Sequence, residues 1–174
     1  MKRRLYLKLF GTFFIFAAIT LVFLSTFTHD TAENYLIQKQ AQELSRESAL
    51  ITSEIKGYFS HPDTPLPDLQ KEMEHTSRFL NAEIWITTAK GILLLDSSDA
   101  MVQAMAQVGK PFYLEGFSIS DFGNTYYQTG TFYGTMKEDT LTVFSTITNN
   151  YKVQGYVFLH MPMSAVLSQA EELV

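Results

Sequence analysis

The sequence offers few side chains of the kinds that catalysis requires. Its four histidines are widely separated, at His29, His61, His75 and His160. None of them lies in a Gly-x-Ser-x-Gly or His-Glu-x-x-His motif, and no glycine-rich phosphate loop is present. Because a nucleophile needs a base held beside it, we expect no catalytic residue and no enzyme activity in this chain.

A metal site is also disfavoured. The nearest approach to one is the segment Glu72-x-Glu74-His75. Adjacent residues on a helix point in different directions, so Glu74 and His75 make a poor chelating pair. The chain contains no cysteine, which excludes thiolate sites and disulfides. We therefore predict no metal ion and no cofactor.

The charge distribution argues against nucleic acid as a partner. Of the thirteen lysines and arginines, four lie before residue 9, which leaves nine against all eighteen acidic residues. Nucleic-acid-binding domains need a basic stripe. The strongly acidic remainder does not supply one.

Leu9–Phe27 is an uncharged apolar segment of nineteen residues. As a helix it would extend roughly 28 Å, close to the thickness of a bilayer core. Basic residues precede it and acidic residues follow, which predicts a cytoplasmic N-terminus at residues 1–8, a transmembrane helix at 9–28 and the rest outside. A cleaved signal peptide is the alternative, but this apolar run is longer than usual and lacks a good cleavage site.

The stretch from Thr31 to Tyr58 has the 3–4 spacing of one helical apolar stripe. Two uses of this stripe remain open. It either covers the domain's own sheet or forms a dimer seam, because its spacing is close to a heptad. The candidate seam residues are Ile37, Leu44, Ile51 and Ile55.

Helices and strands then alternate in a pattern typical of one α+β domain. Three prolines close together end the long helix, and the glycine-bearing turn at Gly91 predicts a β-hairpin. Gly155 suggests a bulge in the last strand, and Ser164 is a predicted N-cap. The predicted elements are helices at 31–58, 68–80, 100–108 and 165–174, and strands at 83–88, 92–96, 125–133, 140–148 and 153–161. Short links between the last three strands predict an antiparallel meander, and the expected fold is α+β with one five-stranded antiparallel sheet.

Two segments carry a family resemblance. IWITTAKGILLLDSS, with Asp96 and Ser97 at its end, and GYVFLHMPMSAVL, with its Met161-Pro162-Met163 closure, resemble the Cache domain, a PAS-like extracellular sensor module. The chain is most similar to the single-Cache sensor of bacterial two-component histidine kinases, over about residues 9–174. The resemblance implies a long N-terminal helix packed on the sheet.

The resemblance also implies a domain organisation. Residues 29–163 would be an extracytoplasmic sensor domain anchored in a bacterial cell membrane. Residues 164–174 would be an exit helix that leads toward a second membrane span. The kinase itself would lie outside residues 1–174.

The family's sheet cups a small molecule, which implies a ligand pocket walled by aromatic side chains. The predicted ligand-binding residues are Trp85, Asp96, Ser97, Tyr126, Thr131 and Tyr133. The Arg-x-Trp-Tyr signature of amino-acid-binding Cache domains is absent.

The expected partners are the membrane, a second copy in a homodimer, and an unknown small ligand or envelope protein. The expected function is to detect that ligand or an envelope condition and to transmit it through the membrane-connected helices. The alternatives are the sensor of a chemoreceptor or diguanylate cyclase, and an anchored structural or adhesion domain.

Overall fold

The computed structural model describes residues 2–60, 66–98, 112–123 and 125–171. It confirms an α+β fold with one five-stranded antiparallel sheet. The helices are α1 (Lys2–Ser60), α2 (Leu66–Leu80) and α3 (Met163–Glu171), with a 3-10 helix at Ile119–Phe122. The strands are β1 (Glu83–Thr88), β2 (Leu93–Asp96), β3 (Tyr127–Gly130), β4 (Thr140–Asn149) and β5 (Lys152–Pro162). The predicted helix at 100–108 lies outside the described residues.

The chain divides into two compact units, Met1–Leu36 and Ile37–Val174. The first unit is the N-terminal part of α1, where large apolar side chains such as those of Phe10 and Phe13 are exposed. Across the described part of the chain, no helix combines the length and the hydropathy needed to cross a membrane. The predicted transmembrane helix at 9–28 includes residues 24–28, whose side chains the structure does not describe. The membrane span therefore stays a prediction.

The sheet of the second unit has the strand order β2-β1-β5-β4-β3. Strands β3, β4 and β5 form the predicted meander, and β5 then pairs with β1. Strand β3 is shorter than predicted at both ends, and it ends before Phe132 and Tyr133, which adopt positive φ angles of 38° and 55°. Such angles turn the chain out of the extended region.

Gly155 marks a bulge in β5, as predicted. It pairs with Ile147 while Val153 pairs with Thr148, so Gln154 has no partner residue on β4. The backbone of β1 is also close, since a Cβ atom at Gly155 would lie 2.0 Å from the carbonyl oxygen of Thr87. Only glycine fits there.

The helix-facing side of the sheet carries the main aliphatic core. Alternate strand residues such as Ile84, Val143 and Leu159 point to this side and are buried against α1, α2 and α3. The candidate seam residues lie in the same cluster: Leu44, Ile51 and Ile55 are buried in it, and Ile37 packs at its margin. The stripe of α1 thus covers the chain's own sheet, which is the first of its two predicted uses.

The opposite side of the sheet carries a second cluster, here called the aromatic cluster. It comprises Trp85, Leu93, Leu114, Phe122, Phe132, Tyr156 and Phe158, with Phe112, Phe117, Ile119, Tyr133, Met136 and Phe144 packed around them. No helix longer than one turn covers this side among the described residues. The irregular segments at 112–122 and 131–136 cover it instead.

The end of α2 lies where the sequence predicts it, whereas the start of α3 does not. Helix α2 stops at Asn81, as predicted, with φ of 51°. The prediction that Ser164 caps the last helix was wrong, because α3 begins at Met163. The Met163 N–H donates to the carbonyl of Asp139, and the Ser164 hydroxyl donates to Glu138 Oε2 at 3.4 Å. The loop before β4 therefore satisfies the start of α3.

Candidate ligand-binding site

A cavity of about 550 Å³ opens at the end of the sheet where β1 begins and β5 ends. It lies on the side of the aromatic cluster and is bordered by the end of α2 and by the loop after β3. Its lining residues are Ser77, Arg78, Asn81, Ala82, Glu83, Trp85, Asp96, Ser97, Ser98, Thr135, Met136, Lys137, Glu138, Thr140, His160 and Pro162. A volume of this size suits a small organic molecule.

The strand register places a row of polar residues at this end of the sheet. His160 pairs with Glu83 on one side and with Thr142 on the other, and Thr142 pairs with Gln128. Directly opposed residues in antiparallel strands point to the same face. Four polar side chains from four strands therefore stand side by side, next to an otherwise aromatic surface.

His160 is the most deeply buried member of this row, with 1% exposure. Its ring makes an edge-to-face contact with Trp85, with the ring centroids 4.9 Å apart, and a tilted contact with Phe132, with the centroids 4.6 Å apart. Nδ1 lies 2.8 Å from the hydroxyl of Thr142. Nε2 has no hydrogen-bond partner among the described residues. Burial lowers the pKa of His160 to about 3, so the ring is neutral at physiological pH.

The threonine hydroxyls beside His160 indicate which ring nitrogen carries the proton. Thr140 donates to the carbonyl of Gly130 at 3.0 Å, and its oxygen lies 3.3 Å from the Thr142 hydroxyl. Thr142 then donates to Thr140 and accepts from His160 Nδ1–H. With this assignment, the two threonine hydroxyls and the His160 Nδ1–H each donate to an acceptor. The other ring nitrogen, Nε2, is then unprotonated and is an acceptor.

Glu83 is half-buried beside His160. Its Oε1 accepts from Trp85 Nε1 at 2.8 Å and from the Ser98 hydroxyl at 3.4 Å. Burial raises the pKa of Glu83, and the neighbouring carboxyl of Asp96 raises it further by repulsion and by a hydrogen bond. The two hydrogen bonds from Trp85 and Ser98 act in the opposite direction without overcoming burial.

Asp96 is the last residue of β2, Ser97 follows it, and both are buried. Asp96 Oδ1 accepts from the Ser98 N–H and hydroxyl at 2.8 and 2.7 Å, which closes an Asx turn. Gln70 of α2 donates to the Asp96 carbonyl at 2.6 Å. The Ser97 hydroxyl accepts from the N–H of Ile84 at 2.8 Å. These bonds hold the β1–β2 end of the cavity in place.

The predicted ligand-binding residues fall into two groups. Trp85, Asp96 and Ser97 line the cavity, whereas Tyr126, Thr131 and Tyr133 are not among its lining residues. The Tyr126 ring packs on Tyr127 at 5.6 Å, and Thr131 is exposed.

Tyr133 has a structural partner outside the cavity. Its hydroxyl donates to Asp121 Oδ2 at 2.7 Å. Burial raises the pKa of Tyr133, and the hydrogen bond to Asp121 raises it further. Tyr133 thus joins the loop after β3 to the 3-10 helix rather than facing the site.

Glu83, His160, Thr140 and Thr142 were not among the predicted site residues. The signal that points to them is period-2 alternation: Thr140, Thr142 and His160 are polar residues at positions that face the aromatic side of the sheet. Polar side chains at such positions are rare unless they are paired or bind something.

Comparison with known proteins gives structural similarity only. No family model matches the sequence, and no curated protein matches it. The sensory domain of the Campylobacter jejuni chemoreceptor Tlp3 (CcmL) is similar in structure, with a TM-score of 0.46 and 12% identity. The Tlp3 ligand-binding domain in complex with L-valine gives a TM-score of 0.45 and 13% identity. Each match covers 82% of this chain, which spans 64% of the Campylobacter chain.

Proposed function

We propose that this chain is the extracytoplasmic sensor module of a membrane receptor, which binds a small molecule in the cavity and transmits the binding to α3. The observation that carries the proposal is the position of the cavity relative to that helix. His160 and Pro162 line the cavity, and α3 begins at the next residue, Met163. A ligand that moves the end of β5 therefore moves the start of α3.

A second contact supports the same route. Glu138 lies in the loop that borders the cavity, and it accepts a hydrogen bond from Ser164 of α3 at 3.4 Å. The adjoining Met163 N–H is held by Asp139. The loop and the helix therefore share hydrogen bonds, and closure of the loop on a ligand would pull on the first turn of α3.

Membrane anchoring at residues 9–28 and an outside location of the folded unit are part of the proposal. Exposed apolar side chains such as Leu9, Phe13 and Phe23 support anchoring, since contiguous exposed apolar surface marks a contact with lipid or protein. The output would be a histidine kinase outside this chain, or else a chemoreceptor or diguanylate cyclase. The chain itself would act by binding rather than by catalysis.

Two reporters test this function directly. Trp85 is the only tryptophan and lines the cavity, so its fluorescence reports occupancy. Because the chain has no cysteine, Ser168→Cys places one environment-sensitive dye on the exposed side of α3. Lys90→Cys, in the β1–β2 turn, is the matched control. The full chain is titrated with a panel of small carboxylates, amines, amino acids and sugars.

We expect at least one panel member to change Trp85 fluorescence and to raise the melting temperature with its concentration. The same compound should change the emission of the dye at position 168 and leave that at position 90 unchanged. Absence of any binder in the panel would count against the sensor function. Binding that alters Trp85 but not the α3 dye would refute transmission through α3.

A further inference from the structure

We infer that the cavity selects small organic cations, with Glu83 as the counter-charge and His160 Nε2 as an additional hydrogen-bond acceptor. This inference rests on the proposed function, because it specifies the chemical class of the ligand.

The charged residues around the cavity differ in depth: the two buried or half-buried ones are both acidic, whereas the rim carries both signs and includes the exposed Glu138. The acidic side chains Glu83 and Asp96 lie inside, half-buried and fully buried respectively. Arg78 and Lys137 are exposed at the rim, and Arg78 is paired with Glu74. None of the described basic side chains forms an ion pair with Glu83. A carboxylate in partial burial is stabilised by a cation, and a bound ligand can supply one.

The interior polar groups also share one hydrogen-bonding role. The Glu83 carboxylate lines the cavity and accepts hydrogen bonds, and the tautomer deduced above makes His160 Nε2 an acceptor as well. These two residues are directly opposed in the β1–β5 pair, so their Cβ atoms are about 5 Å apart. A buried acceptor without a donor is unfavourable because it has lost its hydrogen bonds to water. An ammonium group has several N–H donors and can satisfy both acceptors at once.

The neutral state of His160 is compatible with a cation. A protonated imidazole beside Glu83 would itself neutralise the carboxylate and repel a ligand cation. Burial holds the pKa of His160 at about 3, so the ring stays neutral and does not compete with the ligand. No described basic side chain is paired with Glu83, and a bound ligand would supply that cation.

A metal ion is the other class of cation, and the geometry does not favour it. Among the described residues, no group of three His, Asp or Glu side chains is placed to hold a metal ion. The cavity is also bounded by apolar groups such as Trp85 and Met136, which suit a carbon skeleton rather than a hydrated ion. The ligand class is thus an amine with an apolar body.

Three probes of similar shape and different charge test the inference on the full 174-residue chain. They are phenethylamine (cationic at neutral pH), 2-phenylethanol (neutral) and phenylacetate (anionic), with Mg²⁺ and Ca²⁺ as metal controls. Binding is followed through Trp85 fluorescence. We expect phenethylamine to bind at least tenfold more tightly than the other two probes at pH 8, and the metal ions to leave the signal unchanged.

Glu83→Gln is the decisive variant, since its amide oxygen can still accept from Trp85 Nε1 while the charge is removed. We expect it to weaken phenethylamine binding about tenfold and to leave 2-phenylethanol binding unchanged. Glu115→Gln, at an exposed turn outside the cavity lining, is the matched control and should bind phenethylamine as the unmodified chain does.

The pH dependence gives an independent check. Protonation of Glu83 removes the counter-charge, so phenethylamine affinity should fall as the pH is lowered from 8 to 5. The fall should begin at a higher pH than an ordinary glutamate would give, because burial and Asp96 raise the pKa of Glu83. The other charged or titratable groups that line the cavity are Arg78, Asp96, Lys137, Glu138 and His160. Loss of this dependence in Glu83→Gln would assign it to Glu83.

Several outcomes would overturn the inference. They are equal or tighter binding of phenylacetate or 2-phenylethanol, a Trp85 response to Mg²⁺ or Ca²⁺ alone, unchanged amine binding in Glu83→Gln, and no binding of any probe. None of them contradicts the sensor function, which the broader ligand panel and the α3 dye decide. A panel hit that is anionic would support the sensor and refute the amine preference.

Discussion

At the scale of single residues, His160 and Glu83 show how one environment shifts two groups toward neutrality. Burial lowers the pKa of the imidazole and raises that of the carboxyl, because a low-dielectric site disfavours charge of either sign. Both residues lie next to Trp85, at the inner end of the cavity. A pair of perturbed groups in a cavity is typical of functional sites.

The shifted pKa of His160 predicts a pH-dependent stability. The unfolded chain binds a proton at a pKa of about 6.5, whereas the folded chain holds His160 neutral down to about 3. The titration of His160 therefore leaves the free energy of unfolding unchanged above pH 6.5. As the pH falls from 6.5 toward 3, it lowers that free energy by up to about 1.4 kcal/mol per pH unit.

Urea unfolding between pH 7 and pH 4.5 measures this effect. The His160→Gln variant should show a shallower loss of unfolding free energy than the unmodified chain, because its amide cannot titrate. His75→Gln, at an exposed position on α2, should retain the full pH dependence. Parallel pH profiles for the unmodified chain and His160→Gln would contradict the assignment.

At the scale of elements, the cavity depends on how closely β1 and β5 approach. Their pairing sets Glu83 opposite His160 and Trp85 opposite Phe158. Near the other end of the pair, Gly155 lets the Thr87 backbone pass without a side chain between them. The bulge and the close approach together set the register that places the polar row.

Gly155→Ala should therefore destabilise the fold. Its Cβ would meet the Thr87 carbonyl oxygen at 2.0 Å, and relief requires a backbone shift, at a cost of about 1–3 kcal/mol or more. Gly57→Ala is the matched control, because it lies in α1 with nothing within 4 Å of the added Cβ. At Gly57 the same change should raise the free energy of unfolding by roughly 0.5–1 kcal/mol. Thermal and urea denaturation give both values, and equal effects at the two positions would contradict the argument.

At the scale of the whole molecule, α1 shares one core with the sheet, α2 and α3. The stripe that begins at Ile37 is therefore needed for folding of the second unit. The dimer proposed from the heptad-like spacing would need another face of the helix, since Leu44, Ile51 and Ile55 are already buried within the chain.

Two substitutions in α1 test whether its apolar stripe is buried within one chain or between two copies. Ile55→Ala removes a side chain with no exposure and should cost about 2–5 kcal/mol, with a melting temperature that does not depend on protein concentration. Leu50→Ala, at a side chain that is 55% exposed, should change stability by less than about 1 kcal/mol. A concentration-dependent loss for Ile55→Ala would instead indicate that the stripe lies between two copies.

The order and type of the elements were predictable from the sequence because their signals are local. The 3–4 spacing in α1, the proline-rich break after it, the hairpin turn at Gly91 and the stop at Asn81 each act within a few residues. The bounds of β1, β4 and β5 followed from β-branched and aromatic runs. The end of β3 did not, because positive φ angles at Phe132 and Tyr133 depend on packing of the aromatic cluster.

The site itself was only partly predictable. Trp85, Asp96 and Ser97 were proposed from the resemblance and line the cavity, whereas Glu83 and His160 were not proposed. These two residues are far apart in the sequence, and only the pairing of β1 with β5 brings them together.

Local propensities thus determined which segments are helices and strands. The tertiary structure decided which polar groups meet, because register between distant strands is set by burial on both faces of the sheet and by the close approach at Gly155. Desolvation at that meeting point, rather than any motif, is what turns a glutamate and a histidine into a candidate binding site.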